Sequence, residues 1–295
     1  MKRFLTACAI VLASTSIAQA STVLTSIKPI QLITVELTKN ISQPDVLLGS
    51  NTSPHDYALR PSDVKRLRNA DLVVWYGNDL EPFLTKVLKD QDNVLTLSDI
   101  NGLELREFAG GHHDHHDHDG HDHGSHDPHF WLGYKPTMQV AEAITQKLVE
   151  LDATNKAGYV KNLEAFKQQL TEQKAAITKQ LAPVADAGYY VFHDAYGYFE
   201  QDFPLNHLGY FTVSPERKPG AKTLISIRKT LAAEQARCVF SEPQFTPAVV
   251  ESVTRGSNAK TGVLDPLGID VEAVEGGYFK FKQNLADSFS NCLTR

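Results

Sequence analysis

Thr154–Leu181 reads TNKAGYVKNLEAFKQQLTEQKAAITKQL, and its spacing decides how the rest of the chain divides. Tyr159, Leu163, Phe166 and Leu170 follow at steps of four, three and four, and Ile177 and Leu181 extend the same face. Only Gln173 interrupts that apolar stripe, the pattern of a helix with one buried side. No proline falls in the stretch, and the first one after it is Pro183. About 28 residues rising ~1.5 Å each predict a rod of roughly 42 Å. Such a helix is long for a globular core and suits a tie between two domains.

On either side, short β-rich runs alternate with helical ones. Upstream, strands are expected at Thr22–Ile27, Val46–Leu48, Leu72–Tyr76 and Val94–Leu97. Helices are expected from Pro29 onward (Ile30, Ile33, Leu37), from Pro61, and over Leu80–Lys89. Pro61 suits a first helical turn, where its missing N–H costs nothing. The unbroken apolar run Leu72–Tyr76 fits a strand covered on both faces. Another helix, Pro136–Leu151, precedes the rod. Downstream, strands at Tyr189–Phe192, Leu208–Val213, Cys238–Ser241 and Gly262–Leu264 alternate with helices at Ala221–Gln235 and Pro247–Arg255, and a last helix covers Tyr278–Phe289. Strand–helix alternation of this kind predicts parallel sheets flanked by helices. The expected architecture is therefore α/β, with two lobes joined by one long rigid helix. Its parts are a leader over 1–20, an N-terminal lobe over 21–153, the linker over 154–182 and a C-terminal lobe over 183–295.

The leader is an address. Lys2 and Arg3 precede an apolar run from Phe4 to about Leu12, and Ala18-Gln19-Ala20 matches a secretory cleavage site after Ala20. The run is too short to span a bilayer, which takes about 20 apolar residues. Leu5-Thr6-Ala7-Cys8 has the look of an acylation box but lies too early in the apolar core. An exported, soluble chain without direct membrane insertion is expected. Composition agrees: the 295 residues are 42% hydrophobic and 22% charged, which is globular and not disordered. The net charge of −6 falls to −8 once Lys2 and Arg3 are lost, which argues against a nucleic-acid partner. Cys238 and Cys292 remain after cleavage, an even count suited to a disulfide in an oxidising compartment. A thiolate metal site or two buried free thiols are the alternatives.

Histidine is the anomaly. Eight of the 12 lie between His112 and His126, namely His112, His113, His115, His116, His118, His121, His123 and His126. They stand in Gly110–Asp127, which holds only His, Asp, Gly and Ser and should be a disordered loop. Imidazoles mixed with carboxylates on a flexible loop give many weak, exchanging sites for zinc, copper or nickel. Elsewhere stand His55, His129, His193 and His207. Ligands of open α/β sheets bind beyond the carboxyl ends of strands. His55 follows Val46–Leu48, His193 ends Tyr189–Phe192, and His129 precedes Phe130-Trp131-Leu132. His55 and His193, one from each lobe, can therefore meet across a cleft. His207 comes before its strand, at the wrong end, and reads as structural. Tetrahedral zinc needs a fourth ligand. Asp265 also stands at a strand's carboxyl end, though a turn role before Pro266 competes, and Glu242 is a weaker candidate.

Pro54-His55-Asp56-Tyr57, Arg60-Pro61-Ser62-Asp63, His129-Phe130-Trp131-Leu132, Phe192-His193-Asp194-Ala195-Tyr196-Gly197-Tyr198-Phe199, Glu242-Pro243-Gln244-Phe245 and Leu264-Asp265-Pro266-Leu267 carry a resemblance. Together they resemble the metal-binding class of ABC-transporter substrate-binding proteins, and most closely its zinc-uptake type, from Ser21 to the end. The resemblance implies one metal site between two lobes, with His55, His129, His193 and Asp265 at the ligand positions. It also implies delivery of Zn2+, as cargo, from the periplasm to an inner-membrane ABC permease by a monomeric protein. Manganese members tend to carry glutamate at the third position; His193 is the softer ligand that suits zinc. Many zinc-branch relatives carry an acidic residue before the first histidine, where this chain has Pro54, which leaves the fourth position to Asp265 or a water. The rival readings are a manganese carrier of the same class, a secreted zinc hydrolase, and an adhesin or metal buffer. No histidine is followed by glutamate and no nucleophile or phosphate-loop motif occurs, which counts against an enzyme.

Overall fold

The computed structural model describes residues 21–107, 126–213 and 215–294. The leader and seven of the tract histidines (His112, His113, His115, His116, His118, His121 and His123) lie outside the described residues.

In the first lobe β1 (Val23–Thr25) leads into α1 (Lys28–Leu37), with β2 at Asp45–Val46, α2 at Pro61–Asn69 and β3 at Leu72–Trp75. After these come α3 (Thr85–Leu88) and β4 (Val94–Thr96). The four strands form a sheet in the order β2-β1-β3-β4 with every pairing parallel. β5 (Arg106–Glu107) and β6 (His126–Asp127) then pair antiparallel, and α4 (Tyr134–Leu151) runs into α5 (Lys156–Leu181). In the second lobe, β7 (Tyr189–His193), α6 (Gly197–Asp202), β8 (His207–Thr212), α7 (Ala221–Ala232), β9 (Cys238–Ser241), α8 (Ala248–Thr254), β10 (Lys260–Val263) and α9 (Gly277–Leu293) follow. Its sheet, also wholly parallel, has the order β10-β9-β7-β8.

Two expectations need correction. The helix expected over Leu80–Lys89 is a 3-10 turn at Pro82–Leu84 followed by the short α3. The loop expected over Gly110–Asp127 does not include its last two residues, because His126 and Asp127 form β6 and Asp127 is fully buried; 110–125 lie outside the described residues.

The long helix is present as α5, and its predicted stripe is its buried face: Tyr159, Phe166, Leu170, Ile177 and Leu181. It packs on α1 and α4 from the first lobe and on α9 from the second. Gln173, the polar interruption, donates from Nε2 to the carbonyl of Phe279 at 2.6 Å, which explains an amide on a buried face. Gly158, in the first turn of α5, sits where an added Cβ would come within 2.9 Å of Ile41 Cδ1. It is therefore a close-packing position against the first lobe. One apolar core runs through the whole molecule, from Val23 and Ile30 through Phe166 and Leu170 to Tyr278 and Phe289. Separate apolar clusters cover the outer faces of the two sheets. The lobes thus share their interior. Cys238 on β9 and Cys292 on α9 are bonded, with Cα atoms 5.8 Å apart, tying the last helix to its sheet. Among the described residues no helix is long and apolar enough to cross a membrane.

Candidate metal site

Both sheets turn the carboxyl ends of their strands toward one cleft. His193 is the last residue of β7, so its side chain leaves the sheet where the strand stops. Glu242 directly follows β9, the neighbour of β7, and parallel pairing of Tyr190 with Val239 carries the two chains forward to bring Glu242 beside His193. From the first lobe, the chain beyond β2 stays on the ladder through Leu47 and Leu48 before reaching His55. His129 comes two residues after β6 and starts the 3-10 turn Phe130–Leu132.

These three histidines meet. One ring nitrogen from each of His55, His129 and His193 lies within 4.8 Å of the other two. His129 and His193 are 3% and 2% exposed, while His55 is only half-buried, at the mouth. Nε2 of His129 stands 3.3 Å from Nε2 of His193. Two nitrogens on a tetrahedral zinc, each at ~2.05 Å, would be about 3.3 Å apart. The cavity beside them, lined also by Trp131 and Phe245, has a volume of about 10 Å³. That is room for one water-sized occupant.

The ring orientations have identifiable causes. Asp127 Oδ1 takes the Nδ1 proton of His129 at 2.7 Å and its backbone N–H at 3.0 Å. Both oxygens of Glu242 lie within hydrogen-bond distance of His193 Nδ1, at 2.7 and 2.8 Å. A carboxylate on Nδ1 fixes the tautomer and leaves Nε2 free to ligate, the usual support of a metal-bound histidine. Burial, then the neighbouring His193 and Arg106 charges, holds His129 well below the ordinary histidine range, so it stands neutral and ready to ligate. Burial opposes the charge on His193 too, but Glu242, by charge and hydrogen bond, outweighs it and the net shift is upward. Asp127 is pushed up to about 7 by burial, against the pull of the His129 amide and of Arg106.

The other expected residues are placed elsewhere. Asp265 does not join the three histidines. Its carboxylate accepts the N–H groups of Leu267 and Ile269 and the Gln244 amide, holding the loop after β10. His207 begins β8, where it pairs with Glu200 and stacks on Tyr189. His126 is half-buried on β6, opposite Glu107. Sequence reasoning missed Asp127 altogether and took Glu242 for a weak ligand candidate. The local signal for Asp127 was present: an aspartate two residues before a histidine can close an Asx turn onto it.

The His129 turn is also fastened to the second lobe. Trp131 Nε1 donates to the Pro266 carbonyl at 2.8 Å, Tyr278 OH to the Trp131 carbonyl at 2.6 Å, and buried Lys282 to the Leu132 carbonyl. At the mouth, Ser53 Oγ donates to Glu216 Oε1 across the cleft at 3.0 Å.

Comparison with known proteins agrees with this layout. Residues 23–292 match the family model described as zinc-uptake complex component A, periplasmic (ZnuA). The chain is 44% identical to the high-affinity zinc uptake system protein ZnuA of Haemophilus ducreyi, over 95% of this chain and 96% of that protein. It is 41% identical to the protein of the same name from Yersinia pestis, over 99% and 98%. A crystal structure of ZnuA superposes with a TM-score of 0.78 at 25% identity, covering 94% of this chain and 100% of that one. The periplasmic zinc-binding protein TroA of Treponema pallidum shares the fold, with a TM-score of 0.80 at 21% identity over 94% of this chain and 100% of that one. The two lobes, the long helix and the histidine cluster at the cleft are thus those of a non-catalytic transport component, and the chain belongs to the ZnuA family of periplasmic substrate-binding proteins.

Proposed function

We propose that the chain captures one Zn2+ between its lobes through Nε2 of His129 and His193 and a ring nitrogen of His55, and delivers it to an inner-membrane ABC permease. The observation that carries the reading is the buried pair of Nε2 atoms 3.3 Å apart, each histidine backed by its own carboxylate. Three imidazole nitrogens favour zinc over manganese, which prefers oxygen ligands. A water completes the tetrahedron, since the Asp265 carboxylate is engaged by its own loop. The tract histidines, His112 to His126, act as auxiliary metal collectors, and the exported chain is a monomer released by cleavage after Ala20.

Two experiments test this together. Zinc titration of the purified protein should reveal one tight site that His193→Ala weakens by orders of magnitude, beside weaker sites that it leaves alone. In a periplasm-bearing bacterium lacking its own zinc-binding component, the wild-type chain should restore growth in zinc-poor medium and His193→Ala should not. Unchanged tight binding in His193→Ala would refute the ligand set, and no rescue by a wild-type chain that is exported and binds zinc would refute delivery to the permease.

A further inference from the structure

Arg106 connects the two halves of the site. It lies on β5, the strand that precedes the histidine tract, and β6, which follows the tract, carries Asp127. Its Nη1 donates to Asp127 Oδ2 at 2.9 Å and lies 3.9 Å from Asp194 Oδ1. Asp127 holds His129, and Asp194 is the residue after His193. One guanidinium thus sits between two carboxylates, each next to a different buried histidine and each on a different lobe. The backbone is braced at the same place. The Arg106 N–H donates to Tyr198 OH at 2.8 Å, and that hydroxyl donates to the Asp127 carbonyl at 2.9 Å.

Gly197 provides the room. A Cβ there would lie 2.0 Å from Arg106 Cζ and 2.3 Å from its Nε, so the guanidinium can lie across the start of α6 only because residue 197 has no side chain. The Arg106 side chain is 13% exposed and the Asp127 side chain is fully buried. A buried carboxylate that keeps its charge needs such a partner.

We infer that Arg106 is a positioning residue for metal capture: laid over Gly197 between the lobes, it holds the Asp127 carboxylate on His129 Nδ1 and so keeps His129 Nε2 aimed at the metal. The inference rests on the reading of His129 as a zinc ligand. It assigns Gly197 a role as well, as the clearance for that guanidinium.

The test uses the full chain and zinc itself. Trp131 packs on the His129 ring with centroids 5.3 Å apart, so its fluorescence reports zinc arriving at His129. Affinity is read from that signal against a competing chelator, with melting followed in parallel in excess chelator. Arg106→Gln should weaken zinc binding by about 10–100-fold, the usual cost of losing outer support for a ligand. Gly197→Ala should act in the same direction, because it displaces the guanidinium while leaving its charge. Arg106→Lys should recover part of the loss. The decisive comparison is with Asp127→Asn. If Arg106 acts through Asp127, the double variant Arg106→Gln/Asp127→Asn binds no worse than Asp127→Asn alone. Independent, multiplying losses would overturn the inference, as would near-native affinity in both Arg106→Gln and Gly197→Ala. Should Arg106→Gln not fold, the same cycle run with Gly197→Ala decides in its place. His129→Ala separates the two levels of the argument. A Trp131 response that survives it refutes the ligand reading, whereas loss of that response with a silent Arg106→Gln refutes only the role of Arg106.

Discussion

Replacing Glu242 with glutamine keeps the volume and one acceptor oxygen and removes a single buried charge. Glu242 is 2% exposed, and both of its oxygens face His193 Nδ1. The 2.7 Å hydrogen bond, the width of the ring and a Zn–N bond of about 2 Å put that charge roughly 6–7 Å from a bound ion. One charge at such a distance from a divalent ion is worth about 5 kcal/mol at an effective dielectric near ~20. That is an upper bound, because glutamine keeps a dipole and can still orient the ring. The expected loss is about 10–100-fold in zinc affinity, or roughly 1.4–2.7 kcal/mol. Competition against a fluorescent chelator at one slightly alkaline pH measures it, with the melting temperature in excess chelator as the check on folding. Zinc should also raise that melting temperature less in Glu242→Gln than in wild type, since a ligand stabilises in proportion to its binding. A folded Glu242→Gln protein whose affinity stays within about twofold of wild type would refute the claim that this carboxylate tunes His193.

Three further outcomes follow from the same geometry. Deleting His112–Ser125 while leaving His126 and Asp127 should preserve the fold and one tight zinc site, whereas extending the deletion through Asp127 should weaken that site, since Asp127 orients His129; metal analysis after dialysis distinguishes the two. Replacing both Cys238 and Cys292 with serine opens a cross-link spanning 54 residues and should cost about 4 kcal/mol of stability on the chain-entropy model, read by denaturant unfolding, with little effect on zinc affinity. Small-angle scattering with and without zinc should show almost no change in radius, because the lobes share one core and the His129 turn is bonded to α9; a contraction like that of large-hinge binding proteins would contradict this.

Much of the architecture is written in local patterns. Leu72–Tyr76 could be read as a buried strand because a parallel sheet covered on both faces needs an unbroken apolar run. The stripe from Tyr159 to Leu181 could be read as one helix because its period is that of a helix with one buried side. His55 and His193 were legible as partners from strand polarity alone, since both stand just beyond carboxyl ends. The supporting groups were not legible in this way. Glu242 meets His193 only because β9 lies beside β7, an adjacency that strand order creates and no spacing reveals. Arg106 reaches Asp127 and Asp194 only through the antiparallel closure of β5 on β6 and the absence of a side chain at Gly197. Asp265 illustrates the opposite difficulty. A carboxylate at a strand end suits a metal ligand and a turn equally well, and the nearby N–H groups of Leu267 and Ile269 draw it into the turn.

The most direct test of the central claim is anomalous diffraction at the zinc absorption edge from crystals of the zinc-loaded full chain. The dominant peak should lie between the lobes, about 2.0–2.1 Å from Nε2 of His129 and of His193 and from one nitrogen of His55, with a water as the fourth neighbour. A dominant peak elsewhere, or one between the lobes that leaves out His129 or His193, would contradict the account.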